Sequence, residues 1–150
     1  AKQINFMRDH DYAFTYTNFR LVNEAGEVIK EAVPLPNCLG YTDLLKNTAI
    51  ACSSVIIDRY IVGDFRMPLV RRGQDTATWL MLMRTRKGLK AYGLDETLHN
   101  YRQVAGSVSS SRVAALRRTW YTYRHLEKLP LGKTLYYFVH YVLAAARRRL

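Results

Sequence analysis

The sequence predicts an α/β chain, and three observations carry that expectation. Tyr12 to Val22, YAFTYTNFRLV, is rich in aromatic and β-branched residues in partial alternation, the pattern of a strand. Asn23-Glu24-Ala25-Gly26 is a hairpin turn signal, with Glu27 to Val33 as the return strand. Further on, Ala77, Leu80, Met81 and Met83 recur at roughly helical spacing behind a glycine-containing loop.

The remaining elements follow in order. Lys2 to His10 reads as a helix with Ile4, Phe6 and Met7 apolar. Pro34, Pro36 and Asn37 break the second strand into a loop. Tyr41 to Lys46 is a short helix, started near Thr42 or Asp43. Asn47 to Ile57 opens with small polar residues and ends in Val55-Ile56-Ile57, which suggests a buried strand or a strand-like loop. Asp58 to Val62 is one helical turn ended by Gly63. The helix that contains Asp75 runs to about Arg86, and Lys87-Gly88 closes it. Leu89 to Tyr101 is the last strand region, with Asp95-Glu96 as a polar interruption. A serine-rich segment, Gly106 to Ser111, precedes a helix from about Arg112. There Val113, Leu116, Trp120 and Tyr123 form an apolar stripe of the kind that packs into a core.

A chain of 150 residues, 49% hydrophobic, suffices for one domain with a real core and is not a disordered composition. Cys38 and Cys52 have no CxxC spacing and no nearby histidine, so neither a zinc site nor a disulfide framework is indicated. Both are expected to be buried thiols in a reducing compartment. The polar N-terminus shows no signal peptide pattern. Net charge is +11, and it is unevenly placed: after Ser111 there are nine Lys/Arg and one acid, Glu127. That asymmetry favours an anionic partner, whether nucleic acid, a membrane surface or a phosphorylated substrate.

The densest stretch is Val62 to Gly88, where a basic loop with Arg66, Arg71, Arg72 and Gly73 runs into the helix at Gln74-Asp75. An acid at that point faces unpaired backbone N–H groups and the positive end of the helix dipole, so Asp75 can be a helix cap. It can equally be a carboxylate fixed at a rigid helix start and aimed into a cleft lined by Arg71 and Arg72. Arg102 and Ser107 form a second candidate group, because guanidinium, hydroxyl and loop N–H groups together suit phosphate. The plain alternatives are an arginine paired with an acid and serines that cap the next helix. Ser53 and Ser54 can line a substrate pocket, although adjacent serines before a strand more often shape a turn.

Gly63-Asp64-Phe65, Gln74-Asp75, Trp79-Leu80 and Gly88, in this order and spacing, resemble the second half of an inverting family 2 glycosyltransferase with the GT-A fold. NTAIACSSVIIDR at Asn47 to Arg59 and LHNYRQVAGSVS at Leu98 to Ser109 extend the resemblance, as do Trp120 and Tyr123. It covers about Lys2 to Arg124. The resemblance implies a mixed sheet with flanking helices, with residues 1–128 as the acceptor-side half of the catalytic domain. Residues 129–150 would form a separate basic amphipathic helix. It implies transfer of a sugar from a nucleotide-sugar donor to an acceptor hydroxyl with inversion, in cell-surface polysaccharide or glycan synthesis. Asp75 would be the catalytic base. The family pairs that Asp with a preceding Glu, and here Gln74 stands in its place, which puts any role for the first acid in doubt. Gln74, Arg71, Arg72, Arg102, Ser53, Ser54 and Ser107 would lie on the substrate side. Trp79 would pack behind Asp75 or stack on a sugar. A divalent metal, Mn or Mg, is implied for the complete enzyme, held by the family's DxD motif, whose ligands are expected to lie outside this chain. The family's nucleotide-binding half and DxD come before a helix like Lys2 to Met7, so the chain is expected to be a portion of a longer enzyme and inactive by itself. Self-association into a homo-oligomer through uncovered sheet surface is a further expectation.

The C-terminal run, Leu135 to Arg149, is too short and interrupted to span a bilayer, which takes about 20 residues. Tyr136, Tyr137, Phe138 and Tyr141, with Arg147, Arg148 and Arg149, suggest a helix that lies on an anionic membrane surface, where a lipid-linked acceptor could be met. The expected location is cytoplasmic, peripheral at the inner face of the plasma membrane. The simpler alternative is a terminal helix packed on its own domain. Outside catalysis altogether, a basic nucleic-acid-binding or membrane-surface module also accounts for the charge.

Overall fold

A computed structural model describes residues 1–48, 50–71, 73–104 and 112–147. Its centre is strand β1 (Phe14–Val22), which has partners on both sides. On one side β2 (Val28–Val33) returns antiparallel through the hairpin around Gly26, whose φ of 90° takes the left-handed turn that a side chain resists. On the other side β5 (Ala91–Arg102) runs parallel to β1. The two-residue strands β3 (Cys38–Leu39) and β4 (Ile56–Ile57) pair antiparallel with β5 and β1 respectively. The result is a mixed sheet of order β2-β1-β5-β3 with helices around it, the architecture that the GT-A resemblance implies. A parallel neighbour so far along the chain needs a long crossover. Everything from Pro34 to Lys90, including the candidate site, is that crossover.

Among the described residues six α-helices complete the fold: α1 (Lys2–Asp9), α2 (Tyr41–Lys46), α3 (Arg59–Val62), α4 (Gln74–Thr85), α5 (Arg112–Tyr121) and α6 (Leu131–Arg147). A π-helical turn, Thr122–Leu126, continues α5. The core joins Phe14 and Tyr16 of β1 to Leu44 and Leu45 of α2, Trp79, Leu80, Leu82 and Met83 of α4, and Tyr123. Glu127, the one acid of the C-terminal quarter, is buried. Its Oε2 accepts the Tyr41 hydroxyl at 2.6 Å and Arg84 Nε at 3.0 Å, which ties α2 and α4 to the end of the π turn. A buried carboxylate tolerates loss of water only with such partners.

Several elements differ from the sequence expectation. Asp95 and Glu96 do not interrupt the last strand but form a bulge in it: the register passes from Thr17↔Leu94 to Asn18↔Thr97. Asn18 Nδ2 donates to Asp95 Oδ1 at 2.7 Å while Asn18 Oδ1 accepts the Leu35 N–H at 2.9 Å, so the bulge has its polar groups satisfied. Asn47 to Ile57 is mostly loop, with a 3-10 turn at Cys52–Ser54 and only Ile56–Ile57 in the sheet. Both thiols, expected to be buried, are exposed, because Cys38 sits in an outward position of a two-residue strand and Cys52 in that surface turn.

The aromatic residues of α6 do not share one exposed face. Tyr141 is buried, and Tyr137 and Phe138 pack against the core, Phe138 edge-on to Trp120 at 5.2 Å. These aromatics therefore belong to the domain and not to an outer membrane-facing surface, leaving Tyr136 exposed among the four. No helix among the described residues is long and apolar enough to cross a membrane.

Candidate active site

The site is built where the crossover loop becomes α4. Gly73 occupies the cap position with φ 75° and ψ 26°, a left-handed conformation that glycine adopts without steric cost. Because Gly73 is the cap, Gln74 and Asp75 are the first two residues of the helix proper, and no side chain caps it. Asp75 is thus not an N-cap in the strict sense. Its carboxylate sits in the first turn, at the positive end of the helix dipole, half-buried and without a hydrogen-bond donor among the described side chains. A carboxylate held this way on a rigid element, with its oxygens uncommitted, can take a proton from a substrate group.

Two features fix the floor and the flank. Trp79 lies one turn further along α4, only 4% exposed, its ring edge-on to Phe14 at 5.2 Å. That burial makes it a core residue that anchors α4 to β1, and it leaves no face for stacking on a sugar. On the flank, partial desolvation first, and the Asp75 carboxylate second, push the thiol of the exposed Cys52, in the 3-10 turn Cys52–Ser54, above its ordinary pKa. The same turn is held from two other directions. Ser53 Oγ and His99 Nε2 of β5 are hydrogen-bonded at 2.7 Å, and Gln3 Nε2 of α1 donates to the Ser54 carbonyl at 2.9 Å.

The other sequence candidates separate. Ser53 is exposed, whereas Ser54 is buried and turns its hydroxyl back to the Ala51 carbonyl at 2.9 Å, a turn-forming role. Gln74 is exposed, with its carbonyl accepting the buried Thr78 hydroxyl at 2.6 Å. Arg71 is exposed beside the helix start, and Arg102 is exposed at the last position of β5, opposite Val22. Arg72 and Ser107 lie outside the described residues, as do Arg148 and Arg149.

A cation that the sequence reading missed is Arg118 of α5. Its Cδ lies 3.3 Å from where a β-carbon on Gly73 would stand. With Thr76, Thr119, Thr122 and Tyr123 it lines a small cavity of about 30 Å³ against the start of α4. Nothing in local sequence pairs Arg118 with Gly73, since 45 residues and a strand separate them. The only hint was the apolar stripe that predicted α5 to be packed.

Among the described residues no group of three or more His, Cys, Asp or Glu side chains is arranged to hold a metal ion. The donor set here does not fit a divalent ion.

The chain shows clear similarity to curated bacterial glycosyltransferases. It is 41% identical over 149 residues to TuaG of Bacillus subtilis (strain 168), named for teichuronic acid biosynthesis, covering 99% of this chain and 58% of that protein. It is 27% identical over 146 residues to WfgD of Escherichia coli, covering 97% and 56%. It is 35% identical over 118 residues to WfaP of Escherichia coli, covering 79% and 45%. The last two are named as UDP-Glc:α-D-GlcNAc-diphosphoundecaprenol β-1,3-glucosyltransferases. The chain spans about half the length of these relatives. No family model matches it.

Proposed function

Since the chain belongs to the inverting family 2 glycosyltransferases with the GT-A fold, we propose that the protein carrying it transfers a sugar from a nucleotide-sugar donor to an acceptor hydroxyl in the synthesis of a bacterial polysaccharide. The observation that carries the reading is the combination of that similarity with an uncommitted carboxylate, Asp75, on the first turn of α4. Asp75 takes the proton of the acceptor hydroxyl as its oxygen attacks the anomeric carbon. The bond from that carbon to the diphosphate oxygen breaks on the opposite face, and the configuration inverts. The α4 dipole and the packed Trp79 hold the carboxylate in place, so little motion is needed at the moment of transfer.

The exposed guanidinium groups of Arg71 and Arg102 are candidates to meet the diphosphate groups of donor or acceptor, and Arg72 is a further candidate from the sequence. Ser53, Gln74 and Ser107 are further candidates for sugar contacts, Ser53 and Gln74 being exposed. Two relatives are named for acceptors on a lipid diphosphate. By extension the acceptor here is a sugar carried on such a lipid, and the protein works peripherally at the inner face of the plasma membrane. The basic C-terminal quarter suits that surface.

The test is Asp75→Asn in the product of the complete coding region. The amide keeps shape but cannot accept the proton, so turnover is expected to fall by roughly 10²–10⁴-fold with the melting midpoint little changed. Turnover at the wild-type level removes Asp75 as the base.

A further inference from the structure

Helix α6 is apolar over more than half of its circumference, and only part of that surface is used by the fold. Thr134, Tyr137, Phe138 and Tyr141 turn inward. Leu131, Leu135, Val139, Val142 and Leu143 follow at intervals of four, four, three and one, which puts them on a single stripe, and all five are exposed, from 38 to 56%. A solvent-facing helix surface is ordinarily polar, and an aliphatic stripe of four turns calls for a covering partner. Lys133 and Arg147 are exposed near the two ends of the helix, and Lys46 of α2 lies 5.5 Å from the ring of Tyr136. The acids of α2 and of the end of the π turn are already engaged. Glu127 is buried and bound to Arg84, and Asp43 of α2 turns to the Gly40 N–H at 3.0 Å.

We propose that this aliphatic stripe is the membrane-docking face of the protein: α6 lies parallel to a bilayer that contains anionic lipid, with Leu131, Leu135, Val139, Val142 and Leu143 among the acyl chains and Lys133 and Arg147 at the headgroups. The proposal rests on the reading that the acceptor is carried on a lipid, and it replaces an aromatic contact with an aliphatic one. Charge decides between occupants. A second copy docked through the same stripe would bring like-charged rims together, which opposes a self-complementary contact. An anionic bilayer offers both an apolar interior and the opposite charge at the correct depth for an in-plane helix.

The experiment is vesicle flotation of the product of the complete coding region, with phosphatidylglycerol-containing and purely phosphatidylcholine vesicles. The double variant Leu135→Gln/Val139→Gln is expected to lower partitioning onto anionic vesicles about tenfold or more, with an unchanged melting curve. Lys133→Gln/Arg147→Gln is expected to lower it on anionic vesicles while leaving the weak neutral-vesicle binding unchanged. Val139→Trp adds a direct reading, since brominated lipid should quench its emission beyond the background from Trp79 and Trp120. If the wild type floats and the aliphatic variant floats equally, the contact lies elsewhere and the proposal falls while the lipid-acceptor reading stands. If the wild type does not float but transfers sugar to a detergent-dispersed lipid acceptor, the docking face is wrong and the function is not. If Val139→Trp is already shielded without vesicles, protein covers the stripe, whether a second copy or another part of a longer chain, and the proposal is overturned. Loss of transfer to every acceptor with flotation intact would instead defeat the functional reading alone.

Discussion

The Asp75 carboxylate of α4 lies within electrostatic reach of the Cys52 thiol in the neighbouring 3-10 turn and, after burial, is the second cause of that thiol's raised pKa. Ser53, the next residue, is exposed on the same turn. The electrostatic relationship makes Cys52 a reporter of the charge on Asp75.

With Cys38 replaced by Ser, alkylation of Cys52 should follow a single pH profile. A nearby anion disfavours the thiolate, so Asp75→Asn should move the profile to lower pH and speed alkylation at a fixed neutral pH. The measurement is the pH dependence of iodoacetamide labelling of the two forms. An unmoved profile would mean that the Asp75 charge does not reach the Cys52 thiol.

Gly73 should be intolerant of substitution. Its φ of 75° strains any side chain, and a β-carbon would meet the Arg118 stem at 3.3 Å. Gly73→Ala is expected to cost about 1–2 kcal/mol of stability and to shift the start of α4, so that activity falls more than stability alone explains. Comparing kcat with the melting midpoint separates the two effects.

Gly93 should be less tolerant still, for a packing reason. A β-carbon there would stand 2.8 Å from the Pro36 carbonyl oxygen and 2.9 Å from Tyr16 Cε2, and the carbonyl cannot move aside because the Asn37 carbonyl next to it accepts the Gly93 N–H at 2.8 Å. Gly93→Ala is expected to destabilise by about 1–3 kcal/mol, read by urea unfolding. A neutral result would show that the β3–β5 edge is looser than drawn.

Removing the buried carboxylate of Glu127 should loosen the whole C-terminal quarter. Glu127→Ala leaves the Tyr41 hydroxyl without its acceptor, while Arg84, about half exposed, regains water. A loss of about 1–3 kcal/mol is expected, from the unsatisfied hydroxyl. Tyr41→Phe in the same background should then cost little, since the double change removes both partners. Additive losses in this cycle would show that the pair is not coupled.

The local elements were legible in the sequence because their causes are local. Tyr41 to Lys46 is a helix over the expected residues, β1 and β2 fall within the expected strands, and Gly63, Gly73 and Gly88 all take positive φ where the chain turns into or out of a helix. The order of motifs that pointed to the family is likewise a property of the chain as written. What sequence could not decide is which of two chemically similar surfaces meets the interior. Trp79 and Tyr136 are both aromatic residues on helices, yet one is buried against Phe14 and the other faces outward. In α6 both the aromatic and the aliphatic stripe could have faced the domain, and the choice follows from the position of Trp120 and the core beneath it. The parallel pairing of β1 with β5, the approach of Arg118 to Gly73, and the Ser53–His99 bond join residues far apart in the chain. Local propensity carries no term for such contacts. They exist because the crossover must close over one shared core, and closing it brings the Cys52–Ser54 turn to the flank of Asp75.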